Sequence, residues 1–595
     1  MAISPQLNSD GPVRIAILSN GEPVSDSVQC HSVRVQRAVG TIPTARLVLE
    51  DGRMPTGEWP VADDTTFEPG AAIVIKAGYG EDQDTLFDGV VVKLGMRISG
   101  ENFSRLIVDC QDKATKMTLG RKNVNYVDQK DSDIISKLAS GHGLTAEVDS
   151  TDVQYGELVQ YYCTDWDFLV SRAEVNGLLV IADDGKLHVK APQTSGEAIL
   201  SVTWGMDLIE FHAEIDARGQ LSSVEAVAWD PKTQATATAT EGPATLNAQG
   251  NLKSGALAQV IGLGTFTLQT ATVLEKTALT AWAKAQQVRA GLARIRGRMK
   301  FQGSAKAAVG TLIEVAGVGE RYNGPVFVGG LEHEIADGNW LTEVQIGLPA
   351  TWFAERPDLL APGAAGLLPA ADGLQIGVVI KLDGDPKGEQ RIQVKVPVLS
   401  ATTEGVWARL TQYYASKDFG AFYIPEIGDE VVLGYFNNDP SNPVILGSLY
   451  SSNRAPPYTI TKENDIKSLV TRSKTKIEIN DADKIVTITT PANNKIVISD
   501  KDKSILLSDQ TGNTVTMNTS GIALASPKDI KLTATGSISL EATNAISLTA
   551  QADLTAKGLN VTAQANVAFT GKGAATAELS ASGVTTVKGA MVMIN

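Results

Sequence analysis

Residues 521–556 read GIALASPKDIKLTATGSISLEATNAISLTAQADLTA, and they decide the fold of the C-terminal part of the chain. Two apolar residues flank one small or charged residue, and this unit recurs every eight positions. The pairs are Ile522/Leu524, Ile530/Leu532, Ile538/Leu540, Ile546/Leu548 and Leu554/Ala556. Residues two apart point to the same face of a strand. Each octad therefore predicts one short strand with two inward side chains, followed by a turn. A fixed short period of this kind is typical of a β-helix or β-prism.

The pattern extends to both sides of this stretch in a looser form. Copies precede it at Ile477/Ile479, Ile496/Ile498, Ile505/Leu507 and Val515/Met517, and copies follow at Leu559/Val561 and Val567/Phe569. The last 131 residues contain a single aromatic residue, Phe569, and no His, Cys, Trp or Tyr. A core without bulky aromatic side chains indicates a narrow interior. The predicted core of this repeat consists of Ile522, Leu524, Ile530, Leu532, Ile538, Leu540, Ile546, Leu548 and Leu554.

The totals limit the possible classes of protein. A chain of 595 residues predicts several domains. The net charge of −15 argues against a nucleic-acid partner, since no basic footprint is present. Three widely spaced cysteines, Cys30, Cys110 and Cys163, predict no disulfide framework and favour a reducing compartment. The first residues, MAISPQLNSDG, lack the features of a signal peptide, so we expect assembly in the bacterial cytoplasm.

The region before the octads is predicted to be mainly β. Six alternating or apolar runs between residues 13 and 112 predict a barrel. Helices are expected at 132–144, from Asp165, and at 275–296, with a hairpin turning at Asp184-Gly185. Ser132 or Asp131 is predicted to cap the first helix, and Gly141 or Gly143 to end it. The segment 230–262, rich in Ala, Thr and Gly, is interpreted as a loose excursion. Five further strands in about 80 residues predict a small OB-like barrel.

Three stretches resemble one protein family at the level of residues. They are LVQYYCTDWDFLVSRAEVNGLLV (158–180), GRMKFQGSAKAAVGTLIEVAGVG (297–319) with GPVFVGGLEHEI (324–335), and WARLTQYYASKDFGAFYIPEIGDEVVLGYFNNDPSNPVILGSLY (407–450). Together they resemble the VgrG-like hub-and-spike proteins of contractile injection systems. The wording S-R-A-E-x-N-G at 171–177 and the lack of a C-terminal extension favour extracellular phage-tail-like particles over type VI secretion.

The resemblance implies a domain order. The expected domains are a first hub β-barrel (1–125), helical insertions with a second hub β-barrel (126–356), a linker (357–372), an OB-fold neck (373–450), a second linker (451–470) and a β-helix spike (471–595). It further implies a homotrimer, in which three octad segments wind into a triangular β-helix. The implied partners are the inner tube protein, baseplate proteins and a PAAR-like tip protein. Effector cargo and a transient contact with a target membrane complete the expectation, in a particle that can be released from the cell.

No catalytic, cofactor-binding or metal-ligating residues are predicted. The five histidines are scattered, and His333 in LEHEIAD lacks the second histidine of a zincin motif, so it is interpreted as a structural histidine. Paired acidic residues such as Asp63/Asp64, Asp183/Asp184 and Asp481/Asp483 are interpreted as solvated turn residues. Only about 26 residues separate Tyr450 from Ile477, too few for an inserted lysozyme domain. The expected function is therefore mechanical, without enzymatic activity.

The last residues predict an interaction site. The chain ends in GAMVMIN, and three copies of Met591, Val592, Met593, Ile594 and Asn595 would form a small apolar platform for the tip protein. Two alternatives stay open. A type VI secretion VgrG would share the fold and differ in delivery. A secreted single-chain β-helix, either an adhesin or a polysaccharide lyase, would share the period, since three octads are close to one turn of that architecture.

Overall fold

The computed structural model describes residues 2–6, 11–100, 103–398 and 405–594. The chain divides into two compact units, Met1–Leu449 and Tyr450–Asn595. Strands dominate both units, so the predicted mainly-β fold is confirmed. Among the residues that the structure describes, the helices are too short or too polar to span a lipid bilayer.

The six strands predicted before residue 113 are all present, with one short strand added after the first. They are β1 (Val13–Ser19), β2 (Glu22–Pro23), β3 (Cys30–Ala38), β4 (Thr44–Glu50), β5 (Ala72–Tyr79), β6 (Asp84–Ser99) and β7 (Phe103–Asp112). Alternating burial along β3 and β4 places Val33, Val35, Leu47 and Leu49 in a core, where each is fully buried. The period-2 pattern in the sequence therefore reports a strand with one inward face.

The middle of the chain combines strands with four helices. These elements are β8 (Lys122–Lys130), α1 (Asp131–Gly141), β9 (Thr145–Val148), β10 (Gln154–Cys163), α2 (Asp165–Val175), β11 (Leu179–Asp183), β12 (Lys186–Lys190), β13 (Leu200–Thr203), β14 (Leu208–Ile215), β15 (Val224–Asp230), β16 (Ala235–Glu241), α3 (Ser254–Ile261), β17 (Phe266–Thr270) and α4 (Lys276–Leu292). The predicted hairpin at Asp184-Gly185 is present, and both turn residues have positive φ.

Two expectations for this region were wrong. The segment 230–262 is not a loose excursion, because it contains β16 and α3. The alternating Ala and Thr of β16 suit a strand that pairs with β15, and Ala239 is buried there. The predicted side-chain cap of α1 by Asp131 or Ser132 is also absent, since Lys130 occupies the N-cap position. Asp131 lies in the first turn of the helix and binds Arg172 instead.

Four more strands complete a sheet that runs through the whole hub. They are β18 (Ile295–Gln302), β19 (Leu312–Ala316), β20 (Gly324–Ala336) and β21 (Asn339–Ile346). The sheet follows the order β14-β18-β21-β20-β3-β4-β7-β6-β5-β1-β2, and β19 joins it through β20 and carries β13. Pairing of β3 with β20 links the two halves. The two predicted hub barrels thus correspond to two separate hydrophobic cores on one continuous sheet.

The OB-like barrel is present and closed. Its strands are β22 (Gln375–Lys381), β23 (Ile392–Lys395), β24 (Val406–Leu410), β25 (Glu430–Tyr435) and β26 (Pro443–Leu449), joined in the ring β22-β23-β24-β26-β25. Its core contains Val379, Val394, Val431, Leu433 and Ile445, all fully buried. Short 3₁₀ segments lie at Thr65–Phe67, Lys113–Thr118, Phe353–Glu355, Gly363–Gly366 and Phe436–Asn438.

The second unit begins with seven consecutive antiparallel strands, which we name the meander (residues 466–525). They are β27 (Ile466–Val470), β28 (Lys476–Asn480), β29 (Ile485–Thr489), β30 (Lys495–Ser499), β31 (Ser504–Ser508), β32 (Thr514–Asn518) and β33 (Gly521–Ala525). The meander begins at Ile466, inside the range 451–470 that was predicted as a linker. No further strand follows within the described residues 526–594, which we name the octad segment.

Candidate functional site: the C-terminal segment

The register of the meander gathers its apolar residues on one face. Ile477 lies opposite Ile488, Ile488 opposite Ile496, and Ile496 opposite Leu507. Residues that are directly opposite in neighbouring strands point to the same side of a sheet. The same reasoning along all seven strands defines the apolar face: Leu469, Ile477, Ile479, Val486, Ile488, Ile496, Ile498, Ile505, Leu507, Val515, Met517, Ile522 and Leu524, with Lys467 as its fourteenth and only charged position.

This apolar face is uncovered in the single chain. Ile477 is 43% exposed, Ile496 41% and Leu507 40%, whereas core residues of the hub reach 0%. A contiguous exposed apolar surface usually marks an interaction site. The apolar pairs predicted from the sequence therefore share one face of the sheet, and that face lacks a partner within the described chain.

The opposite face of the meander and its turns carry polar and charged groups that bind one another. Lys476 Nζ lies 2.8 Å from Glu478 Oε2, and Glu478 also accepts a hydrogen bond from the Tyr458 hydroxyl. Asp481 in the turn after β28 binds Lys467 of β27 at 2.7 Å, and Asp483 in the same turn binds Lys501 at 2.9 Å. Both carboxylates remain open to solvent, as predicted for turn residues, and each also forms an ion pair.

The octad segment differs from the meander in its backbone. From Ser526 to Ile594, no hydrogen bond joins two backbone groups within this described part of the chain. Its apolar residues are exposed, as Ile538 at 55% and Leu540 at 65% illustrate. The expectation of one strand per octad is therefore not met inside a single chain, because a strand is defined by the neighbour with which it pairs. Of the predicted spike core, Ile522 and Leu524 lie in β33, whereas Ile530, Leu532, Ile538, Leu540, Ile546, Leu548 and Leu554 lie outside any strand.

The predicted tip residues are also exposed. Met591 is 79% exposed and Met593 82%, and Ile594 is similarly open to solvent. Val592 is less exposed than its neighbours. Asn595 lies outside the described residues.

One apolar pair of the face was missed in the sequence. Val486 and Ile488 in β29 complete the face between Ile477/Ile479 and Ile496/Ile498. The same signal of two apolar residues flanking one small residue is present in the stretch IVTIT. It was missed because the strands of the meander begin nine, ten or seven residues apart, so this part of the pattern does not follow a period of eight.

Residues 171–177 form hydrogen bonds that connect several elements of the hub. Arg172 donates two hydrogen bonds to the fully buried Asp131, at 2.8 and 2.9 Å, and Asn176 donates a third at 2.8 Å. Glu174 accepts a hydrogen bond from Arg289 on α4 and another, at 2.7 Å, from the amide of Phe353. These residues hold α1, α2, α4 and the segment after β21 together.

Three further acidic groups of the hub have structural partners. Asp165 accepts hydrogen bonds from Lys122 and Gln160, and its Oδ2 lies 2.7 Å from His142 Nε2. Burial raises the pKa of Asp165, but these hydrogen bonds outweigh it and hold the pKa below its ordinary value. Asp183 and Asp184 were expected to be solvated. Both bind Arg37 instead, and burial raises the pKa of Asp184.

Groups that could hold a metal ion were sought among the described residues. No cluster of three or more His, Cys, Asp or Glu side chains is found there. The three cysteines are free thiols. The candidate site is therefore a surface made of apolar side chains and unpaired backbone, which suits association with other chains.

Comparison with known families adds to this geometry. Residues 9–337, more than half of the chain, match the model of the Alg8 N-terminal domain. The chain belongs to the Alg8 N-terminal domain family. Residues 375–450 match the type VI secretion system/phage-baseplate injector OB domain, the range of the closed barrel. The predicted relationship to VgrG-like spike proteins is confirmed by this OB domain and by the curated relatives.

Those relatives include three spike-related proteins. The type VI secretion system spike protein VgrG1b of Pseudomonas aeruginosa is 29% identical over 219 residues, which cover 33% of this chain and 28% of that protein. The spike protein VgrG1c of the same organism is 32% identical over 128 residues, covering 19% and 17%. The actin cross-linking toxin VgrG1 of Vibrio cholerae is 33% identical over 99 residues, covering 16% and 9%. The chain thus matches less than a third of the length of each relative.

Solved structures with partial likeness include tail proteins. The 43 kDa tail protein of prophage MuSo2 from Shewanella oneidensis aligns with a TM-score of 0.44 at 13% identity, covering 57% of this chain and 99% of that one. The E. coli c3393 protein, a component of the type VI secretion system, aligns with a TM-score of 0.35 at 14% identity, covering 73% and 99%.

Proposed function

We propose that this chain is the non-enzymatic, homotrimeric central spike of a contractile injection system. In this role it joins the inner tube and the baseplate to a tip protein, and it pierces the target envelope when the sheath contracts. The observation that carries the proposal is the octad segment, where exposed Ile/Leu pairs recur on a backbone without internal hydrogen bonds.

The backbone argument favours partner chains. Nearly all buried backbone N–H and C=O groups in folded proteins are hydrogen-bonded. If the octads bury their apolar pairs, their backbone is removed from water and needs partners that the chain itself does not supply. Three copies wound round one axis pair every strand edge with a neighbouring chain, and no edge is left open.

The side-chain argument points in the same direction. Full burial of one large aliphatic side chain stabilises by roughly 1.5–3 kcal/mol. Residues of the octad segment are about half to two-thirds exposed in the single chain, as Ile546 at 53% and Leu548 at 66% illustrate, so most of this gain is still available on association. Trimer symmetry repeats each contact three times, which makes the segment a strong association surface.

The same observation disfavours a single-chain β-helix. An adhesin or polysaccharide lyase of that type pairs each strand with the next coil of its own chain, and residues 526–594 make no such pairing. A role in type VI secretion stays the second candidate, because curated relatives of this chain are type VI spike proteins. The actin cross-linking toxin among the relatives carries an activity in its name, but the match covers only 9% of that protein.

The proposed partners follow from the ends of the molecule. The hub would contact the inner tube and baseplate proteins, and the apolar residues Met591–Ile594 would receive a PAAR-like tip protein. Assembly in the bacterial cytoplasm, followed by incorporation into a phage-tail-like particle, fits a spike without its own catalytic site. Effector cargo would travel with such a particle.

Oligomeric state tests the proposal. We expect light scattering of the full chain to give a stable trimer, whereas a chain truncated before Lys462 should keep a folded hub and OB barrel and associate only weakly. The reason is that truncation removes both the apolar face and the octads. A full chain that stays monomeric at micromolar concentration would refute the proposed spike.

A further inference from the structure

The octad segment has a repeat that cannot define its own alignment. The triplets Ile530-Lys-Leu532, Ile538-Ser-Leu540 and Ile546-Ser-Leu548 place the same two apolar residues at every eighth position. If one chain slipped by eight residues against its neighbours, the first two of these pairs would still place Ile opposite Ile and Leu opposite Leu, and only the third would meet a different pair, Leu554/Ala556. Register is weakly specified wherever a slip restores the same contacts. A spike with flush ends therefore needs its register set elsewhere.

The meander has two properties that the octads lack, which are strand pairing within one chain and strand spacings other than eight residues. Its seven strands are paired within one chain, so its sheet does not depend on a neighbour for backbone hydrogen bonds. Its strands begin ten, nine, ten, nine, ten and seven residues apart, so a slip of eight residues does not restore the same contacts. Thirteen of the fourteen positions on the apolar face are occupied by apolar residues. The more exposed of these residues have about 40% or more of their surface open to solvent.

The single charged position marks one end of this face. Lys467 lies in β27 and is directly opposite Ile479. Its ammonium group binds Asp481 Oδ2 at 2.7 Å and the carbonyl oxygen of Asn464, both at the border of the sheet. A shifted alignment of three such faces would move this charge against the aliphatic side chains of a neighbour. Removing a charge from water is unfavourable even when the charge belongs to an ion pair, so Lys467 with its partner Asp481 disfavours the shifted register.

We propose that the meander is the trimerisation and register-setting element of the spike. Three copies of its apolar face pack against one another first, and the octad segment then winds towards the tip from this fixed start. The occupant of the apolar face is thus the same face of two further copies of this chain. This inference rests on the proposed trimer and adds which part of the chain starts it and which part follows.

Two features support this order over its reverse. Forming the meander requires only hydrogen bonds between strands that are adjacent in the sequence, and such local pairings form early. The octad segment must first bring three chains together, because it has no backbone hydrogen bonds of its own. An ordered sheet that already presents an apolar face lowers the entropy cost of that encounter.

The experiment compares three variants of the full chain. Ile496→Asp places a charge in the apolar face of the meander. Ile538→Asp places the same charge in the octad segment. Thr516→Asp is the matched control, because Thr516 lies in the meander on the opposite face, between Leu506 and Ala523. Each is measured by light scattering and by amide hydrogen exchange of peptides from 466–525 and 526–594.

We expect Ile496→Asp to lose the trimer and, with it, the protection of amides throughout 526–594. Ile538→Asp should remain a trimer with a protected meander and should lose protection only in the octads. Thr516→Asp should resemble the unmodified chain. Retained protection of 466–525 in monomeric Ile496→Asp would establish that the sheet itself is intact. If that protection is also lost, the milder variants Ile496→Ser and Ile538→Ser are compared instead. We expect Ile496→Ser to weaken the trimer more than Ile538→Ser does.

The opposite pattern overturns the inference. If Ile538→Asp dissociates the trimer while Ile496→Asp keeps both the trimer and protected octads, assembly starts in the octads. A monomeric unmodified chain would instead refute the proposed spike itself, so the two failures are distinguishable.

Discussion

At the scale of single residues, the burial of His333 lowers the pKa of its ring. It lies in β20, is 3% exposed, and its Nδ1 is 2.9 Å from Thr342 Oγ1. Thr342 Oγ1 accepts a hydrogen bond from the Ser304 amide, which leaves its hydroxyl proton to donate to the ring. Burial, and then the positive charge of Arg37, lowers the pKa of His333 to about 3. The neutral ring is therefore the form that fits this core.

A pH dependence of stability follows from this lowered pKa. An unfolded histidine has a pKa near 6.5, so below that pH the unfolded chain binds a proton that the folded chain does not. The contribution of His333 to the free energy of unfolding is then present above pH 6.5 and is lost as the pH falls towards 3. The expected slope is at most about 1.4 kcal/mol per pH unit. Urea denaturation of the full chain at pH 7 and pH 5, followed by tryptophan fluorescence, measures it.

Two substitutions separate His333 from other groups. His333→Gln should flatten the loss of stability between pH 7 and pH 5. His212→Gln is the matched control, since His212 is exposed on the edge strand β14, and it should leave the slope unchanged. Equal slopes in the unmodified chain and in His333→Gln would show that the histidine is not held neutral by the fold.

The sequence predicted the structural role of this histidine but not its partners. The absence of a metal-binding motif around LEHEIAD was readable, because such motifs have fixed spacing. The sequence did not predict contacts between distant residues. Arg37 binds Asp183 and Asp184, and Arg289 binds Glu174, and each of these ion pairs joins positions more than a hundred residues apart. Solvated turns and buried ion pairs look alike until the fold brings a cation to the turn.

At the scale of elements, periodicity predicted most strands correctly. The six strands before residue 113, the helix from Asp165 and the closed OB barrel appear where alternation and apolar spacing placed them. In β16, the sequence ATATATE was misread as loose because Ala and Gly suggest flexibility. The alternation with β-branched Thr was the better indicator. The octads were predicted as strands from side chains alone, and a pattern of side chains cannot state which backbone completes the pairing.

The octads themselves permit a test of which side faces inward. Ile538→Asp or Leu540→Asp would place three carboxylates on one axis, since symmetry triples each change. An uncompensated buried charge costs several kcal/mol, so the octad region should fray. Ser539→Asp should be mild, because Ser539 lies between the pair and its side chain is expected to point outward. Protease resistance of the C-terminal segment in the full chain measures the difference. Equal damage from positions 538 and 539 would contradict the inward assignment.

At the scale of the whole molecule, the hub, the OB barrel, the meander and the octad segment differ in how far their backbone hydrogen bonds are formed within one chain. The hub and the OB barrel have hydrophobic cores and backbone partners within one chain, so their surfaces do not depend on a neighbouring copy. The meander is paired internally but keeps one apolar face open. The octad segment has neither a core nor internal backbone pairing. Within the described residues, the share of backbone and apolar groups that find partners in the same chain therefore falls towards the C-terminus, which supports the proposed trimeric spike.

In the proposed spike, the last residues of the chain would bind the tip protein. Met591, Met593 and Ile594 are each more than three-quarters exposed, and methionine suits an adaptable contact. Three copies would form a small apolar platform, which in water is better covered than open. We expect a PAAR-like cone protein to dock there and to sharpen the proposed spike, because it would cover these exposed apolar side chains.

Deletion of residues 589–595 tests this docking site in the assembled particle. The shortened chain should keep its trimer, because the meander and the octads up to Phe569 are unchanged, but it should no longer co-purify with the cone protein. Particle activity against target cells should fall in parallel, since a blunt spike presents a larger area to the envelope for the same contractile force. Met593→Ser is the gentler companion, and it should weaken co-purification without changing the mass of the trimer. Full retention of the cone by the shortened trimer would move the docking site away from Met591–Asn595 and back towards the octads.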